Sequence, residues 1–140
     1  MHSLLQQLST TLLLSIGAMI ALTGCKTTNV VNPTATGGFE QIITNGWLKS
    51  KASVVSVHEG VVNGDMKKVA VALFSDQNTQ QYFSYKFEWF DSNGMPIPSA
   101  TQVTTGVVIQ AKDTVTVTSV APSANAARWT LKLYDTQHPL

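Results

Sequence analysis

Few residues in this chain have side chains suited to catalysis or metal binding. Past residue 25 there are two histidines, His58 and His138. Glu59 follows His58, and Asp65 lies just beyond the Asn63-Gly64 pair. A histidine next to a carboxylate can work as general acid and base, and three such groups can hold a metal. Both uses require convergence. His58 and Glu59 are neighbours in a valine-rich segment, and neighbours on a strand point to opposite faces. With Asp65 they lack the dense ligand spacing of zinc or calcium motifs. His138 lies in a terminal stretch expected to fray. Asp91 opens the run Asp91-Ser92-Asn93-Gly94, where an aspartate accepts hydrogen bonds from turn amides. Met66 and Met95 sit beside turns with no histidine nearby in sequence, so they read as packing or surface residues and not as copper ligands. No catalytic, cofactor or metal set emerges. The expectation is a protein that is not an enzyme and takes no cofactor.

The one cysteine has a clearer context. Residues 12–22 are an apolar run of signal-peptide length, short of the ~20 residues a spanning helix needs. Leu22-Thr23-Gly24-Cys25 follows and resembles the bacterial lipobox, in which the cysteine is acylated and the preceding peptide removed. Residues 1–24 are therefore expected to be a cleaved lipoprotein signal peptide, with Cys25 the lipid-bearing N-terminus. That stretch contains no Lys or Arg, which is unusual for the start of a signal peptide. Acyl chains contribute ~0.8 kcal/mol per buried methylene, enough for a stable membrane anchor when two or more are present. Lys26, where an aspartate favours inner-membrane retention in enteric-type bacteria, points to the outer membrane. The expected location is the envelope, lipid-anchored and periplasm-facing.

Composition limits the remaining classes. The 140 residues carry nine Lys+Arg and eight Asp+Glu, a net charge of +1 that leaves no basic footprint for nucleic acid. The apolar content is too high and the net charge too low for a disordered chain. A single cysteine excludes an internal disulfide. The length suits one domain.

Residues 25–38, rich in small polar residues with Pro33 and Gly37-Gly38, read as a lipidated tether. A spacer of ~13 residues would let the domain search a few tens of ångströms from the membrane. Phe39 to Lys51 fits either a short helical turn or an entering strand. From residue 52 onward a period of two dominates. The expected strands are Ser53 to Val62, Lys67 to Phe74, Tyr82 to Phe90, Gln102 to Ile109, Thr114 to Val120 and Arg128 to Tyr134. The fold class is all-β: residues 39–140 as an immunoglobulin-like antiparallel β-sandwich. Its core would set Phe83, Tyr85, Phe87 and Trp89 against Trp129, Leu131, Leu133, Val115 and Val117, with Trp89 and Trp129 facing each other's sheet.

The run Tyr85-Lys86-Phe87-Glu88-Trp89-Phe90-Asp91-Ser92-Asn93-Gly94 resembles a signature of the YcfL-like bacterial envelope lipoproteins. Val120-Ala121-Pro122 and Ala126 to Trp129 are similar to that family's Ala-Pro loop and Arg-led final strand. The resemblance spans roughly residues 67–134. It implies the sandwich and the envelope location, and carries no established biochemical activity. The family's genes often lie beside that of a lipoprotein activator of peptidoglycan synthases, which implies an envelope protein partner linked to cell-wall synthesis.

Four aromatics fall out of phase with the core: Trp47, Phe74, Phe90 and Tyr134. They either cap the ends of the sandwich or lie under the N-terminal segment, or else contribute to a contact surface. The leading functional reading is a non-enzymatic protein-binding or envelope-assembly module. The alternative is a small periplasmic enzyme, or a ligand or metal carrier, using His58 and Glu59.

Overall fold

The computed structural model describes residues 28–36, 38–42, 45–100 and 102–136. The expected signal peptide, Cys25 and His138 lie outside them. Eight strands and one short helix form two antiparallel sheets: β1 (Thr28–Pro33), β2 (Phe39–Ile42), α1 (Gly46–Lys51), β3 (Ser53–Val62), β4 (Met66–Phe74), β5 (Gln81–Phe90), β6 (Thr105–Ile109), β7 (Thr114–Val120) and β8 (Arg128–Asp135). One sheet has the order β2-β1-β8-β5-β6 and the other β3-β4-β7.

The arrangement is a β-sandwich of immunoglobulin type. β3, β4 and β7 take the places of strands A, B and E, and β8, β5 and β6 those of F, C and C′. Strand G's place beside F is filled from the opposite end of the chain, by β1. Thr28 to Val31 pair antiparallel with Tyr134 to Leu131. The stretch expected to be a flexible tether therefore belongs largely to the folded domain. Val31 and Asn29 are buried on the inner face, so the folded unit includes Thr28–Pro33, ahead of the expected boundary at 39.

The local chemistry explains the elements. Asn63 and Gly64 both adopt positive φ, 51° and 90°, the signature of the tight type I′ turn that joins β3 to β4. Gly94 takes φ 82° in the turn after β5, where Asp91 Oδ1 accepts from the amides of Asn93 at 2.8 Å and Met95 at 2.9 Å. Asp91 thus has the turn-building contacts expected of it. Residues 39–51 contain both alternatives the sequence left open, a strand and then one helical turn. Asn45 caps that turn by accepting from the Leu48 amide at 3.0 Å.

Phe83, Phe87, Trp89, Trp129, Leu131, Leu133 and Val117 are buried, and Tyr85 and Val115 pack against them half-buried. One expectation about this core is overturned. Trp89 and Trp129 are direct partners on adjacent strands of the same sheet and do not face one another across the sandwich. Period-two alternation assigns a residue to a face but not a strand to a sheet. What lies across from the two tryptophans is β3, β4 and β7. Trp89 Nε1 donates to Ser119 of β7 at 3.0 Å, and Trp129 Nε1 to Glu59 of β3 at 2.5 Å.

Candidate functional site

The sandwich has two dissimilar ends. At one, α1 lies beside the start of β1, and Lys51 of α1 meets Asp135 of β8 at 2.7 Å with both side chains largely buried. At the other stand Trp89 and Trp129. A cleft of about 220 Å³ opens there, lined by Trp89, Trp129, Val69, Val61, Glu59 and Lys67 among others. The tryptophans form its floor and are only 1% and 3% exposed.

Glu59 and Lys67 stand on inward-facing register positions. Glu59 pairs with the buried Val69, and Lys67 shares a face with Val69, Val71 and Leu73. Both charges line the cleft and stay exposed to water. The Trp129 indole N–H holds one Glu59 oxygen, and Lys67 Nζ donates to the Ala127 carbonyl at 2.9 Å. The result is an apolar slot with an acid and a base at its rim. It suits a large apolar side chain flanked by polar backbone, with the tryptophan rings as a rigid floor.

His58 does not join this site. It is exposed and pairs with Ala70, on the face opposite to Glu59. The two residues are divided as alternation requires, and no hydrogen bond joins them among the described residues. Nor do three His, Cys, Asp or Glu side chains gather as a metal-binding group among those residues.

The four out-of-phase aromatics do not make one patch. Trp47, on α1, is 54% exposed. Tyr134, beside Thr28, and Phe74, beside Ser53, are half-buried at the same end but on the outer faces of different sheets. Phe90 is half-buried at the cleft end, beside Arg128. Along β5 it is six residues from the partner of Tyr134, roughly 20 Å away.

Of the two charged cleft residues, the sequence points to Glu59, as a partner of His58 in the alternative reading, and not to Lys67. The signal for the cleft itself was available in Val57-x-Glu59-x-Val61, an acid in phase with two apolar residues. Recognising it required knowing that a cleft opens at that level. On the outer face of the larger sheet, Glu88 contacts Lys132 at 2.7 Å and Lys86 at 3.3 Å. Burial opposes ionisation of Glu88, but the hydrogen bonds and charges of the two lysines outweigh it. The carboxyl pKa falls below its usual range.

Two solved structures share the fold. A family member from Shewanella sp. pv-4 is 23% identical, with a TM-score of 0.57, covering 76% of this chain and 95% of that one. Campylobacter jejuni cj0090 is 18% identical, with a TM-score of 0.52, covering 63% of this chain and 88% of that one. No curated protein matches. The family described as "Protein of unknown function (DUF1425)" matches residues 40–135, from β2 to the end of β8, and the chain belongs to that family.

Proposed function

We propose that this protein is a YcfL-like envelope lipoprotein: acylated at Cys25, held at the outer membrane facing the periplasm, and acting by binding another envelope protein without catalysing a reaction. The cleft above Trp89 and Trp129 carries this reading. It offers a rigid aromatic floor for an apolar anchor residue of the partner, and it lies at the end of β1 away from Cys25. Leu22-Thr23-Gly24-Cys25 supports the anchor. Glu59 serves here as a rim residue and as the acceptor for the Trp129 indole.

Two exposed valines on β3 provide the test. Val61 stands at the cleft and Val55 toward the α1 end. A photocrosslinking side chain at position 61, in intact cells, should capture a defined envelope protein that the same group at position 55 does not. Equal capture at both positions would remove the cleft from the reading. Glu59→Gln keeps an acceptor for the indole and should retain function. Its failure in a folded, correctly localised protein would favour the enzyme or carrier alternative. Cys25→Ser should leave residues 1–24 uncleaved and position 25 unacylated, as read by mass spectrometry.

A further inference from the structure

We infer that the α1 end of the sandwich docks on the lipid headgroup surface, with Trp47 inserted at the interface. This rests on acylation of Cys25 as proposed above. Three residue steps separate Cys25 from Thr28, a reach of at most ~11 Å. Thr28 is fixed in the sheet by its pairing with Tyr134, so the anchor cannot act as a long leash. One residue further on, Asn29 is hydrogen-bonded to Asn45, the cap of α1, and Trp47 lies two residues beyond that cap. The most exposed tryptophan of the domain is thereby tied to the start of the strand that leads from the anchor.

The composition of this end fits a membrane surface better than bulk water. Trp47 has Lys51 Nζ 5.8 Å from its ring centroid, and Lys49 is exposed on the same turn. Tyr134 and Phe74 stand at the same end on the two outer faces. Tryptophan and tyrosine favour the headgroup layer because each combines an apolar ring with a polar N–H or O–H, while lysine can extend its ammonium to the phosphates. Charge at this end is nearly balanced, since Lys51 pairs with Asp135 and Lys112 with Asp76. Docking then depends on the rings and not on anionic lipid. In that pose the Trp89–Trp129 cleft faces away from the bilayer, about the length of β1 further out, or roughly 17 Å.

The test uses the full protein purified with its lipid and reconstituted into phosphatidylcholine vesicles, with or without bromine on the upper acyl chain. Trp89 and Trp129 are buried at the far end, so quenching by bromine reports Trp47. The expected result is loss of an emission component that Trp47→Phe abolishes, unchanged when phosphatidylglycerol is added. Unquenched emission from protein that floats with the vesicles and has an acylated Cys25 overturns the docking and leaves the anchor standing. Emission shielded from aqueous iodide but unquenched by bromine places protein over α1, and also overturns it. An unmodified Cys25 overturns anchor and docking together.

Discussion

Asn29 and Asn45 hold each other through two hydrogen bonds. The Asn29 side-chain amide donates to the Asn45 carbonyl at 2.9 Å, and the Asn45 amide donates to Asn29 Oδ1 at 2.8 Å. Asn29 is fully buried. The pair fastens the first strand to the cap of the helix. Asn29→Ala would leave the Asn45 N–H without its acceptor, while the Asn45 carbonyl keeps the Lys49 amide at 3.1 Å; an unsatisfied group of this kind costs about 1–3 kcal/mol. Urea unfolding should show a lower midpoint with little change in slope. An unchanged midpoint would mean that water replaces the side chain.

Asp135→Ala should cost about 3 kcal/mol. It leaves the Lys51 ammonium buried without its carboxylate, and breaking a buried pair from one side typically costs ~3–5 kcal/mol. The lower end applies because Asp135 retains some contact with solvent. The double variant Lys51→Met, Asp135→Leu should recover most of the loss, since no unpaired charge remains. Equilibrium denaturation of the three proteins checks both statements.

Trp129→Ala should cost ~3–5 kcal/mol through the cavity it leaves. Trp129→Phe keeps most of the ring burial and gives up the bond to Glu59, so its cost should stay below ~1.5 kcal/mol, because Glu59 is in contact with water. Comparing their melting temperatures separates packing from the hydrogen bond.

Glu88 should make the fold acid-sensitive. Its carboxyl pKa is lowered in the folded state, so its contribution is fully present above the unfolded carboxylate value of ~4.3. It is lost as pH falls through the lower folded value. Melting temperatures of wild type and Glu88→Gln should differ at pH 6 and converge toward pH 2. A difference independent of pH would assign the effect to packing.

The strands from Ser53 onward were legible because turn residues bound them and Tyr82–Phe90 and Arg128–Tyr134 alternate clearly; the least regular, Gln102 to Ile109, proves three residues shorter, as β6 begins at Thr105. Ser53–Val62 and Thr114–Val120 match residue for residue. β1 was not legible. Thr-Asn-Val-Val-Asn-Pro has only two adjacent valines and two asparagines, a composition that also suits a linker. It forms a strand because β8 would otherwise present an unpaired edge beside buried Leu131 and Leu133, and because Asn29 finds its partner in Asn45. Both causes lie far away in sequence. The same distance hid the cleft, since alternation turned Glu59 inward without indicating that a cleft opens there.

The pairing of β1 with β8 also sets the order of events in biosynthesis. Of the described strands, the first to be made has to wait for the last, since Thr28 and Tyr134 are neighbours in the sheet but lie about as far apart in sequence as the described domain allows. Nascent β1 has only β2 to pair with until nearly the whole domain has been made. Closing so large a loop is slow, because its entropy is lost before the contacts it permits are gained. The sandwich thus stays unfinished until β8 has been made, which would suit the export proposed above, since a threading translocase accepts an unfinished chain and not a completed sandwich.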